Sequence, residues 1–255
     1  MKTETKVRLF NIFLSFVPSS KKRKELRTKF ISRDVEKKNE KTLAMEYIKN
    51  NNSLIVVDSN GQKHQNRYVE GLEVCFSGKN STVIIHEPFN YTNCTFYVKD
   101  DSYIEIFPTE YIVNNLIITT IKNSKTIIGE NFSCGGCHIG NHDEPNLEVI
   151  IGKDCMFSNE IRLRTCDGHT IYNLSDKKPI NISKKGITIG DHVWVGMQVT
   201  MLKDVSIPSN TVIGARSVVN KSFDEENTII VGTPAKVIRK GINWDRQSTN
   251  CYTAE

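Results

Sequence analysis

Six histidines are spread over the 255 residues, and one of them, His169, follows Asp167-Gly168 at the head of a long polar stretch. An imidazole that titrates near pH about 6.5 can take the proton from an attacking hydroxyl or amine at neutral pH. His169 is therefore the candidate general base. His192, inside Gly190-Asp191-His192-Val193-Trp194-Val195-Gly196, is its rival for that role. His138 and His142, in Cys137-His138-Ile139-Gly140-Asn141-His142, are candidates to line an acceptor pocket, and Asn159 joins them as a candidate substrate-binding residue.

Nucleophilic and metal chemistry find less to work with. Cys134-Gly135-Gly136-Cys137-His138 has the look of half a zinc site, but a structural zinc needs a second ligand pair at suitable spacing and none follows. No Ser or Cys sits in a nucleophile motif, and no glycine loop for phosphate is present. No metal is expected. Seven cysteines, an odd number, point to free thiols in a reducing compartment.

These side chains must be held by something, and the chain supplies a beat of six. Ile189, Val195, Met201, Ile207, Ile213 and Val219 are all apolar, and Val193, Val199, Val205, Thr211 and Ser217, four places after the first five, are small or β-branched. Gly190, Gly196, Pro208 and Gly214 directly follow their apolar residues. A helix repeats near 3.6 and a strand at 2, so neither gives six. A parallel β-helix does, with one short strand and one tight turn per side of each coil. Ile151, Phe157 and Leu163 keep the beat, and Ile128 followed by Cys134 puts that thiol inside the coil. The 26 residues from Leu163 to Ile189 are not a multiple of six, so a loop over 167–186 leaves the coil, with His169 at its mouth.

The expected organisation is fourfold. Residues 1–52 form a basic, partly helical segment, 53–124 an irregular β section that begins the solenoid, 125–223 the repeat with its loop, and 224–255 a closing segment. Leu9 to Val17 is too short to span a bilayer as a helix, and the basic Lys21-Lys22-Arg23-Lys24 stands where an export cleavage site would be expected. A cytoplasmic location follows as the expectation, with the amphipathic basic segment a candidate for peripheral contact at the inner membrane face. The net charge of +5 comes without a basic stripe interleaved with aromatics, so nucleic acid is not an expected partner. A mean hydropathy of −0.37 fits a soluble chain.

His169 in an ejected loop, the Gly190 to Gly196 stretch, unbroken repeats to Val219 and the closing Val231-Gly232-Thr233-Pro234-Ala235-Lys236-Val237-Ile238-Arg239 together resemble the left-handed β-helix, hexapeptide-repeat acyltransferases. Within that family the chain is similar to the branch that O-acetylates sugars and capsular polysaccharides. The likeness covers about residues 125–240. It implies an acetyl-CoA donor, a glycan or sugar acceptor, and a homotrimer with the coenzyme site between subunits. It further implies His169 as the base, the Met197 amide facing the developing oxyanion, and Trp194 walling the acceptor cleft. Ala215, Asn220, Lys221, Lys236 and Arg239 would lie along the coenzyme. An N-acetyltransferase for an amino sugar nucleotide is the alternative, although residues 1–60 carry no dinucleotide-type glycine fingerprint. A metal-dependent β-helix drawing on His138, His142 and His169, or a purely structural one, is a third reading.

Overall fold

Each hexapeptide of the C-terminal beat forms one short strand and one corner, and three complete a turn of 18 residues. Ile187 pairs in parallel with Val205, Trp194 with Val212 and Thr200 with Val218, each 18 positions on. The computed structural model describes residues 50–141 and 144–253, which lie in one compact unit, Tyr47–Glu255. The N-terminal segment expected to be partly helical and to meet a membrane, residues 1–49, and His142 lie outside the described residues.

Three parallel sheets of seven strands each make the sides of the solenoid. The first runs from Ser53–Val57 through Thr82–His86, Tyr103–Ile106, Lys125–Ile128, Glu148–Ile151 and Gly186–Ile189 to Val205–Ile207. The second runs from Tyr91–Thr92 through Val113–Asn114, Ser133–Cys134, Met156–Phe157, Trp194–Val195 and Val212–Ile213 to Thr228–Gly232. The third runs from Leu72–Phe76 through Cys94–Val98, Leu116–Thr119, Cys137–Gly140, Ile161–Arg164 and Thr200–Met201 to Val218–Val219. The chain visits them in that order, which leaves three edges: first–second, second–third and third–first. An antiparallel strand, Lys63–Gln65, flanks the first sheet, and Ala235–Lys240 folds back on Thr228–Gly232 to close the last turn.

The apolar beat fills the interior. Ile189, Val195, Met201, Ile207, Ile213 and Val219 are all buried, as are Val193, Val199, Val205, Thr211 and Ser217 in the small-residue slot. Each buried Val, Ile or Leu contributes about 1.5–3 kcal/mol. Hydroxyls are tolerated in the slot because a corner carbonyl is at hand: Thr211 Oγ1 donates to Ser209 O (3.2 Å) and Ser217 Oγ to Gly214 O (2.7 Å). Cys134 stacks between Val113 and Phe157, and burial pushes its thiol and that of Cys155 up to about 12. Both are core residues.

Corners impose their own requirements. His192, Gln198, Asp204, Asn210 and Arg216, again six apart, have φ between 54° and 61°, the left-handed region. Earlier turns place asparagine there, at Asn80, Asn93, Asn115 and Asn123 among others, because its short polar side chain tolerates this conformation best after glycine. At the first–second edge, successive backbones approach so closely that a Cβ on Gly152 would lie 2.6 Å from the Gly190 carbonyl carbon. The early turns are longer: Thr82 pairs with Tyr103, Tyr103 with Lys125 and Lys125 with Glu148, steps of 21, 22 and 23 residues. From Glu148 to Gly186 the step is 38, so one turn carries about twenty extra residues.

Candidate functional site

Those extra residues form a finger at the third–first edge. After Thr165 and Cys166, both buried, the chain leaves the coil at Asp167. The finger closes on itself: Ile180 N–H donates to Ile171 O (2.8 Å), Asn173 N–H to Lys178 O (3.0 Å), and Tyr172 bridges Pro179. Asn181 ties its base together. Its Nδ2 donates to Asp167 Oδ2 (2.9 Å) and to His169 O (2.8 Å), and its Oδ1 accepts from Ile171 N–H (2.8 Å). Lys203, from the corner one turn on, donates to both the Asp167 carboxylate and the Asn181 carbonyl. That ammonium holds the Asp167 carboxyl below its ordinary range. Asp204 secures the returning strand by accepting from the N–H groups of Lys184 (2.8 Å), Lys185 (2.8 Å) and Gly186 (3.3 Å). Burial raises its pKa, but the three amides outweigh burial and the net direction is down.

His169 sits at this clamped base with its backbone held and its ring exposed, without a ring hydrogen bond among the described residues. Further out, Ile171, Tyr172, Ile180 and Ile182 are exposed and Leu174 is 82 % exposed. Lys203, Asn181 and Asp204 were not singled out from the sequence. Only the register, which stacks the Lys203-Asp204 corner over the finger's two feet, gives them this role.

The second–third edge carries a groove of about 660 Å³. Asn115, Gly135, Gly136, Asn159, Glu160 and Gln198 form its corner side, and Ile117, His138, Arg162 and Thr200 its sheet side. The last four stack in register on the outer face of the third sheet. Two expected acceptor residues, His138 and Asn159, thus meet in one groove. Asn159 explains a glycine there: a Cβ on Gly135 would lie 2.4 Å from Asn159 Oδ1. Arg162 and Arg164 alternate with buried Ile161 and Leu163, so both guanidinium groups project outward. Neither forms an ion pair among the described residues.

Met197 and Ala215 follow on the same edge, one turn apart. Met197 O accepts from Arg216 N–H (2.8 Å), while the Met197 N–H donates to no described residue. A side-chain ladder runs beside them: Arg216 Nε donates to Gln198 Oε1 (2.8 Å), and Gln198 Nε2 donates to Glu160 Oε2 (2.7 Å). Trp194 stands on the outer face of the second sheet, between Met156 and Val212. It is 39 % exposed. Asn220 and Lys221 follow the last strand of the third sheet, and Lys236 and Arg239 lie on the closing hairpin. All four are exposed, and the Lys221 ammonium lies 5.4 Å from the Phe223 ring centroid.

His192 is committed elsewhere. Its Nδ1 faces Asp154 Oδ2 at 2.6 Å, its Nε2 faces Trp244 O at 2.9 Å, and its ring stacks on Trp244 at 4.2 Å. A ring with both nitrogens engaged is poorly placed to accept a substrate proton. Within one chain, then, Asn159, His138, Met197 and Ala215 share an edge, and His169 occupies the next one, at the far end of the third-sheet strands. Among the described residues no three His, Cys, Asp or Glu side chains converge as a metal site would require, and no helix is long and apolar enough to cross a membrane.

No family model matches the chain. It is 33 % identical over 144 residues to a polysialic acid O-acetyltransferase of Escherichia coli O1:K1 / APEC, covering 56 % of this chain and 45 % of that protein. It is 45 % identical over 100 residues to the polysialic acid O-acetyltransferase of Neisseria meningitidis, covering 39 % and 46 %. The chain thus spans about half the length of these curated relatives. The crystal structure of the polySia-specific acetyltransferase NeuO superposes with a TM-score of 0.66 at 30 % identity, covering 78 % of this chain and 80 % of that one.

Proposed function

The chain belongs to the left-handed β-helix, hexapeptide-repeat acyltransferases, in their sugar and capsular polysaccharide O-acetyltransferase branch, and we propose that it acetylates a hydroxyl of a bacterial surface glycan or its precursor. The donor in this reading is acetyl-CoA, which brings an acyl group already activated as a thioester. His169 accepts the proton of the acceptor hydroxyl as its oxygen bonds to the acyl carbon, and returns that proton to the sulfur as the carbon–sulfur bond breaks. The Met197 N–H stabilises the negative charge that develops on the acyl oxygen, a role suited to a fixed backbone donor that serves nothing else. Trp194 walls the acceptor cleft. Ala215 borders the donor's arm, and Asn220, Lys221, Lys236 and Arg239 meet its phosphate end, where exposed cations suit the charge.

The observation that carries this reading is the finger: one turn in an otherwise regular stack is opened by about twenty residues, and its clamped foot bears an exposed histidine. His169 and Met197 occupy different edges, so the reading includes a homotrimer in which one copy's finger meets another copy's groove. The exposed Ile171, Tyr172, Leu174, Ile180 and Ile182 support it, since apolar side chains clustered on one projection suit a covered surface. The acceptor is an acidic glycan in this reading, on the strength of Arg162 and Arg164 beside the groove and of relatives that act on polysialic acid. The protein works in the cytoplasm, with its basic N-terminal segment at the inner membrane face.

The test is incubation with acetyl-CoA and a panel of polysialic acid and neutral glycans, followed by thiol release and by the mass of the glycan. Acetyl gain on the acidic member, abolished in His169→Ala, is the expected result. Thiol release without glycan acetylation, or full activity in His169→Ala, would overturn the reading.

A further inference from the structure

Past the closing hairpin the chain does not run off into solvent. It turns back as a strap along the first–second edge, with Trp244 only 8 % exposed. Trp244 Nε1 donates to His192 O (2.8 Å), and the two rings lie parallel within 11°. Arg246 fixes the strap two residues on. Its Nε donates to Asp154 Oδ1 (2.9 Å), its Nη1 to Ser133 Oγ (2.7 Å) and its Nη2 to Asn131 O (2.9 Å). The guanidinium also lies over the Tyr111 ring at 4.1 Å. One segment therefore grips four successive turns, through Tyr111, Asn131 and Ser133, Asp154, and His192.

What the strap presents to the outer face is an indole. The Trp244 ring lies 6.1 Å from the Trp194 ring, tilted by 46°. A side chain on the outer face of a sheet has neighbours in its own column, here Met156 and Val212, and little beside it. Trp244 supplies the missing lateral wall, and its own mobility is removed by the His192 stack and the Arg246 contacts. We propose that the C-terminal strap is a positioning device for Trp194, with Trp244 as the residue that fixes the indole's orientation. A ring that shapes a cleft favours reaction only if it is already in place when the substrate arrives. The functional consequence rests on the reading of Trp194 as the wall of the acceptor cleft; the mechanical claim does not.

The chain has two tryptophans, so every replacement of Trp244 leaves Trp194 as the sole indole fluorophore. We compare Trp244→Phe, which keeps a planar ring, with Trp244→Ala, and include Trp244→Leu in case the alanine variant does not fold, using circular dichroism to establish the fold. Time-resolved anisotropy should show a fast local motion of Trp194 several-fold larger in amplitude in the alanine or leucine variant than in the phenylalanine variant. The KM for polysialic acid should rise about tenfold with loss of the ring and stay within about twofold in Trp244→Phe, with the KM for acetyl-CoA unchanged. Equal anisotropy in folded Trp244→Phe and Trp244→Ala or Trp244→Leu would overturn the proposal. If the anisotropy responds while Trp194→Ala leaves acetyl transfer and the acceptor KM untouched, the strap's role stands and the cleft-wall reading of Trp194 falls.

Discussion

The two working edges of this solenoid are built on opposite principles. At the third–first edge a catalytic side chain is obtained by breaking the repeat: about twenty residues leave the coil, and Lys203, Asn181 and Asp204 hold both feet of the excursion. At the second–third edge nothing is broken. Asn159, Met197 and Ala215 sit on successive corners of regular turns, and the free amide and the groove are products of the corner geometry itself. A reactive imidazole needs room to approach two substrates, which a packed corner denies it. A backbone donor and an extended channel need rigidity, which unbroken stacking supplies.

That contrast fails most visibly if the finger is not the seat of the base. His169→Ala should lower acetyl transfer by about a hundredfold or more while leaving thermal unfolding unchanged, because the ring makes no hydrogen bond among the described residues. Lys203→Met should come next, lowering kcat by about tenfold by loosening the foot at Asp167 with His169 itself intact. Near-normal turnover in that variant would mean that the clamp serves only the fold. At the regular edge the effects belong to binding. Lys221→Ala and Arg239→Ala should raise the KM for acetyl-CoA several-fold with little loss of kcat at saturation, and Arg162→Ala should do the same for an acidic acceptor alone.

The smallest expected effect is on acid stability. Asp167 and Asp204 both have lowered carboxyl pKa values in the folded chain. Their contribution is complete above the unfolded value of about 3.9 and is lost as pH falls through the lower folded values. Proteolytic nicking of the finger should therefore rise below about pH 4 before the coils unfold. Asp204→Asn should make the finger more susceptible at pH 7 as well.

How far the architecture can be read from the chain differs between its halves. The C-terminal turns hold 18 residues, three equal hexapeptides, so Ile189 to Val219 displays the period directly. The early turns hold 21 to 23, and their corners absorb the surplus at unequal points, so strands such as Leu72–Phe76 are legible while their stacking is not. The same holds for the site. His169, Trp194 and Met197 come from motif and resemblance, and the break between Leu163 and Ile189 marks the finger. Lys203 and Asp204 look like an ordinary polar corner, and Trp244 and Arg246 like an unremarkable tail, because their partners lie from 16 to more than 110 positions away in the chain.

Sequence alone determined the solenoid, its three-sided turn and the place where that turn is opened, because a short repeat writes each inward side chain at a fixed interval. Only the tertiary structure decided which corners lie together. It assembled the Asn159 groove, the Lys203 clamp and the Trp244 strap, and it separated His169 from Met197, since contacts between stacked turns depend on the accumulated length of every turn between them.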